Sequence, residues 1–263
     1  MTYSPFVRGS IALHVGAAGV TLAAPHLWPW TASAIVADHL ALTAAGLWPR
    51  SALLGPNWTR LPAAGQSVAI TIDDGPDPDV TPRVLDLLAA RGARATFFCI
   101  GERVARYPVL ARAIVTAGHE IGNHTHRHLG YFSLLGPGAM ATEIGRAQEA
   151  IGAATGTAAR FFRAPAGLRN IFLERVLARA GLTLVSWTRR GFDTVNSRPE
   201  NVLRRLTRDL RAGDILLLHD GHAARTNTGV PVIEAVLPRL LEVAGASGLA
   251  TVTLGAALAI GAS

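Results

Sequence analysis

The chain places two short polar strings where apolar runs end: Thr71-Ile72-Asp73-Asp74-Gly75 and, further on, His124-Thr125-His126-Arg127-His128. Asp73 and Asp74 follow Val68-Ala69-Ile70-Thr71-Ile72, which reads as a buried strand. His124 and His128 stand four apart, so on a helical turn they share a face. One carboxylate with two imidazoles is a three-ligand set for a divalent metal that leaves a position open for water. The other carboxylate stands beside it as a base. Chemistry of that kind is metal-assisted hydrolysis. Taken alone, Asp-Asp-Gly is a common turn, and three close histidines form a surface cluster by chance. Two further strings change the weight: Arg163-Ala164-Pro165-Ala166-Gly167 after Phe161-Phe162, and His219-Asp220 after Ile215-Leu216-Leu217-Leu218. Four polar strings in order, each closing an apolar run, are hard to assign to packing.

The elements that must position these residues recur from Gly65 onward, as an amphipathic helix ending at a glycine and then an apolar strand. The pattern predicts helices over Val84–Arg91, Val109–Ala117, Leu173–Ala180, Val202–Arg211 and Val232–Ala244. The strands expected after them are Ala95–Ile100, His119–Asn123, Leu182–Trp187, Ile215–Leu218 and Leu249–Leu254. Glycine just past a helix is the favoured left-handed cap. Thr81-Pro82 reads as an N-cap followed by proline at the first helical position. Strand, helix, strand in repetition means parallel pairing, and the polar residues then collect at the C-terminal strand ends, where a (β/α) barrel assembles its chemistry. An open doubly wound sheet is the alternative, but no glycine-rich phosphate loop follows the first strand.

The ordered set TIDDG, HTHRH, RAPAG and LLHD resembles the NodB-type polysaccharide deacetylases, carbohydrate esterase family four, over residues 68–254. The resemblance implies an α/β fold, a distorted (β/α) barrel of about seven strands, with one catalytic divalent metal, usually zinc, cobalt and nickel being substitutes. It implies hydrolysis of N-acyl groups, above all acetyl, on glycan sugars. Residue by residue, it makes Asp74, His124 and His128 the metal ligands, Asp73 the base, Arg163 the group that orients it and His219 the general acid. Reading Trp187 as the family's strand tryptophan brings Asp193 to the partner of that acid. Ala166 would offer a backbone N–H to the oxyanion, and Leu217, two before His219, would wall a pocket for the acyl methyl group. An aromatic usually stands where this chain has Ala166, and a tryptophan where it has Thr194. His126 is expected to point away, and His222 to be a loop histidine satisfied by its neighbours. Arg127, Arg189 and Arg190 lie near strand ends, solvated or jointly holding a phosphate. Two other readings stay open: a deformylase or deacetylase of a polyprenyl-phosphate-linked monosaccharide, and a catalytically inactive glycan-binding barrel.

Residues 1–64 differ in character from 65–263, the expected catalytic domain. Two apolar stretches, Ser10–Leu27 and Thr31–Leu47, are flanked by Trp28-Pro29-Trp30 and Trp48-Pro49-Arg50. Each approaches the roughly 20 residues of a bilayer span, with tryptophans at interfacial positions. Asp38 and His39 are costly in lipid, so the second stretch lies at the interface or pairs with His14 in a hairpin. A cleaved signal peptide is the rival, disfavoured by Pro25 after Ala23-Ala24. The segment is expected to hold the chain at a bacterial inner membrane. A hairpin leaves the catalytic domain cytoplasmic, since Arg8, Arg50 and Arg60 flank it and its turn has no basic residue; a single span leaves it outside. The net charge is +7, and all 25 basic residues are arginine. They are scattered, so the charge admits anionic lipids or phosphorylated substrates and argues against nucleic acid. The single cysteine, Cys99, excludes an intrachain disulfide and reads as core.

Overall fold

The computed structural model describes residues 3–62 and 65–260. Two helices come first, α1 (Pro5–Ala23) and α2 (Trp28–Leu47), joined by a 3-10 turn at Pro25–Leu27. α1 begins ahead of the apolar stretch because the Ser4 hydroxyl accepts from the Val7 N–H and Pro5 suits the first turn. Polar side chains lock the pair as a hairpin. Ser10 Oγ donates to Asp38 at 2.6 Å, the Nε2 atoms of His14 and His39 share a proton at 3.0 Å, and Thr21 meets Thr31. Much of the rest is apolar and exposed, including Val15, Leu22, Trp30 and Leu40. By length and composition α1 is the one helix among the described residues able to cross a bilayer.

The remainder is β1 (Ser67–Asp73), α3 (Thr81–Ala89), β2 (Ala95–Cys99), α4 (Gly101–Arg106), α5 (Pro108–Thr116), β3 (Glu120–Asn123), α6 (Pro137–Thr155) and β4 (Phe161–Phe162), followed by α7 (Leu173–Ala180) and β5 (Thr183–Leu184). Then come β6 (Arg189–Arg190), α8 (Pro199–Thr207), β7 (Ile215–His219), α9 (Val232–Ala246), β8 (Ala250–Thr251) and α10 (Leu254–Ile260). Pairing is parallel throughout in the order β5-β4-β3-β2-β1-β7-β6, with β8 beside the start of β1. The sheet curls as an incomplete barrel: among the described residues β5 and β6 do not pair. The side-chain period of two sorts the strands. Ile70, Ile72, Phe97, Cys99, Leu216 and Leu218 face the helices, while Ala69, Phe98, Ile215 and Leu217 pack inside. Asp73 and His219 have the inward parity and are register partners.

Three local expectations are corrected. Thr81 does not cap α3. It is the helix's first residue, and its hydroxyl accepts from the Asp77 N–H and donates to buried Asp220 at 2.5 Å. A buried carboxylate needs that donor more than the helix end needs a cap. Of the apolar run Leu182–Trp187 only Thr183–Leu184 pair with β4, because Val185 and Ser186 turn to Trp58 and give their carbonyls to Arg163 at the seam. α6 is a helix that the glycine-ended pattern does not predict, although Met140, Ile144, Ala147, Ile151 and Ala154 form its buried stripe; the intervening glycines and alanines dilute the pattern. Residues just after the hairpin already belong to the barrel. Trp58 bridges Val185 in parallel, Arg60 bridges Asp214, and Leu61 joins the interior cluster.

Candidate active site

Adjacent residues of a strand point to opposite faces, so Asp73 and Asp74 share a pocket only because the strand stops between them. Asp74 has φ 76°, a left-handed conformation that aspartate tolerates, and its N–H bonds to the Phe98 carbonyl. Both carboxylates then line one cavity of about 240 Å³ with His124, His128, Ala166, Trp187, Leu217 and His219. His124 follows β3, its N–H tied to the Cys99 carbonyl. His124 and His128 do not share a helical turn, contrary to the spacing argument. They sit in a loop where Thr125 (φ 65°) and His128 (φ 52°) reverse the chain, held by Thr125 N–H to Asn123 and His128 N–H to the Thr125 hydroxyl.

The hydrogen bonds orient the rings. His124 Nδ1 donates to the Arg163 carbonyl at 2.8 Å, leaving Nε2 toward Asp74 Oδ1 at 3.3 Å. His128 Nε2 is 3.4 Å from the same oxygen. Asp74 Oδ1 is buried and has no hydrogen-bond partner among the described residues. An unpartnered buried oxygen facing two imidazole nitrogens is the donor set a divalent cation fits, with the outer nitrogen of His124 already anchored. Burial acts against the Asp74 charge, but His124 and His222 outweigh it and hold the carboxyl well below the usual range. Burial and the neighbouring His124 push His128 down to about 4, so its ring is neutral near neutrality. His124 is raised despite burial, by Asp73 and Asp74.

Arg163 is fully buried and fills the seam of the barrel. Its guanidinium donates to Asp73 Oδ1 at 2.6 Å, the Thr71 hydroxyl, and the carbonyls of Val185 and Ser186, with the Phe98 ring 4.1 Å away. Asp73 is thereby held with Oδ2 on the His124 side, 3.8 Å from Nε2. Across the pocket, Asp193 accepts both the backbone N–H of His219 at 2.7 Å and its Nδ1–H at 2.9 Å. Nε2 of His219 is the ring nitrogen left for other partners. Burial opposes the charged form of His219, yet Asp193, Asp73 and Asp74 raise its pKa above the ordinary value. Leu217 lies inside on the His219 face, and Ala166, at φ 53° in the 3-10 turn Pro165–Gly167, forms the opposite lip.

Some placements differ from expectation. His222 lines the cavity and donates Nδ1 to Asp74 Oδ2 at 2.9 Å, so it is no self-contained loop residue. The available signal was Gly221: a Cβ there would meet the Asp74 carbonyl at 2.3 Å, so only glycine lets that loop pass. Asp220 had no expected role. It is buried, its Oδ1 has no hydrogen-bond partner among the described residues, and burial, Asp74 and Asp77 push it up to about 7. His126 is buried away from the cavity lining. The three arginines do not gather: Arg127 is paired with Glu143 and Arg189 with Asp214, and only Arg190 reaches the cavity.

Residues 60–185 match the family model described as Polysaccharide deacetylase. A peptidoglycan-N-acetylglucosamine deacetylase of Bacillus cereus is 39% identical over 175 residues, 66% of this chain and 81% of the relative. A chitooligosaccharide deacetylase of Azorhizobium caulinodans is 38% identical over 156 residues, 59% of this chain and 74% of the relative. Among solved structures, a family 4 carbohydrate esterase from Streptomyces lividans in complex with acetate superposes with a TM-score of 0.65 at 34% identity. It covers 72% of this chain and 93% of that one.

Proposed function

The chain belongs to the polysaccharide deacetylase family, the NodB-type enzymes of carbohydrate esterase family four, and from that premise we propose a metal-dependent hydrolase that removes N-acetyl groups from N-acetylglucosamine-containing glycans. The observation that carries metal dependence is the buried, unpartnered Asp74 Oδ1 facing the Nε2 atoms of His124 and His128. A divalent ion held by these three residues, zinc by donor type with cobalt or nickel as substitutes, would polarise the acyl carbonyl and acidify water. Asp73, fixed by Arg163, takes the proton of the attacking water. The Ala166 N–H donates to the oxyanion that develops on the carbonyl. His219, kept protonated by Asp193 on Nδ1, delivers a proton through Nε2 to the departing amine nitrogen. Leu217 and Trp187 exclude water around the acyl methyl group. The sugar is supported by the relatives, which are named for peptidoglycan N-acetylglucosamine and chitooligosaccharides.

His124→Ala is expected to lose metal and activity together, read by metal analysis and by acetate release from N-acetylated oligosaccharides. A full equivalent of metal in that variant would refute the ligand set. Wild-type protein without any stoichiometric divalent ion would instead favour an inactive glycan-binding barrel.

For the chain's organisation, the membrane-attaching part of residues 1–64 is the hairpin of α1 and α2 in this reading, while Trp58, Arg60 and Leu61 pack with the catalytic domain of 65–263. Attachment to the bacterial inner membrane is supported by the apolar exposed faces of α1 and α2. α2 is less apolar than α1, but its Asp38 and His39 are paired with Ser10 and His14 inside the hairpin, so this reading takes α2 across with α1 and leaves the catalytic domain cytoplasmic.

A further inference from the structure

The candidate site continues into a second hollow of about 310 Å³ lined by Trp48, Arg50, Trp187, Arg190 and Phe192. Trp187 and Arg190 line both, so the two form one groove. Its outer end is built by the chain leaving the hairpin. Trp48, at the end of α2, is 61% exposed, and Arg50 donates to the Thr188 carbonyl at 3.3 Å. Pro49 between them is pinned through its carbonyl by Ser186 and Asn57.

The charge of this hollow is unbalanced. Arg60 and Arg189 share Asp214, and Arg163 has Asp73. Neither Arg50 nor Arg190 has a carboxylate partner among the described residues, and no acid lines the hollow. Nε of Arg190 is buried without a hydrogen-bond partner among the described residues. Its guanidinium lies 5.5 Å from the Trp187 ring and 4.9 Å from the Phe192 ring, which hold it in place without neutralising it. Phe192 is itself exposed and left-handed at φ 61°.

Two uncompensated guanidiniums beside exposed aromatic rings fit an anion with oxygens in several directions, joined to an apolar or sugar body. We propose that this groove is a subsite for a phosphate ester carried by the N-acylated sugar, with Arg50 and Arg190 on the phosphate and Trp48 and Phe192 against the group beyond it. The inference rests on the deacetylase reading of the adjoining site. It makes a sugar phosphate ester the preferred substrate class over neutral oligosaccharides.

The test compares kcat/KM of the full-length protein on three N-acetylglucosamine substrates. These are a phosphodiester with a short alkyl chain, the same diester with a long isoprenoid chain in micelles, and neutral chitotetraose. Wild type should prefer the diesters, and Arg50→Gln and Arg190→Gln should each reduce the diester-to-neutral ratio about tenfold or more, a preference that added salt also weakens. A long-chain preference assigns the phosphate to a lipid and parity to a soluble ester; either supports the subsite. A ratio that neither variant changes overturns it. If wild type hydrolyses none of the three, the deacetylase reading fails by itself. Calorimetric binding of the short-chain diester still judges the subsite: weaker binding by Arg50→Gln supports it, and equal affinity overturns it.

Discussion

Asp73 and Asp74 are chemically identical neighbours that their surroundings make different. Asp74 is bounded by three imidazoles, whereas Asp73 is bound by the Arg163 guanidinium. In Asp73→Asn, metal content should persist while turnover falls by about two to four orders of magnitude. Parallel metal loss would show that the two carboxylates share the ion. The same change leaves Arg163 buried without its counter-charge, so a stability loss of about 3 kcal/mol should accompany it in denaturant titrations. At the other wall, activity in this reading needs protonated His219 and is lost as pH rises through its raised pKa. Asp193→Asn removes the negative charge that favours the imidazolium, so the alkaline limb of the pH profile should move to lower pH. A limb that stays in place would assign it to another group.

At the scale of elements, loops rather than strands decide the site's geometry. The β7–α9 connection brings His222 to Asp74 only because Gly221 has no side chain to meet the Asp74 carbonyl. Gly221→Ala should therefore displace Asp74, weakening metal binding and lowering kcat. Gly156 is the matched comparison: it caps α6 at φ 76° with open space around it and does not line the cavity. Gly156→Ala should cost about 1 kcal/mol through backbone strain and leave activity intact. If the two variants behave alike in metal titration and kinetics, the close approach at Gly221 is not what holds the loop.

Across the whole molecule, the hairpin and the barrel meet where the groove begins, since the Trp48–Ser51 segment packs beside Trp187 and the 3-10 turn that carries Ala166. In the two-crossing reading, a C-terminal green-fluorescent fusion should be bright and an alkaline phosphatase fusion inactive; the reverse would place the barrel outside. The parallel α/β plan was legible in the residues because strands buried on both faces must be apolar and their connecting helices amphipathic. So was the order of the polar strings, because local backbone rules place them at strand ends. What residues alone did not reveal depends on contacts distant in the chain. Whether Thr81 caps a helix or serves Asp220 turns on a partner 139 residues away. The seam between β5 and β6, and the buried guanidinium that fills it, exist only once the sheet curls. His124 and His128 converge through left-handed loop residues that no 3.6-residue period encodes. Pairing of charges is likewise tertiary: Arg127 and Arg189 find carboxylates across the fold, while among the described residues Arg50 and Arg190 do not. Spacing along a chain records local geometry, but electrostatic partnership is settled by which surfaces the folded core presses together.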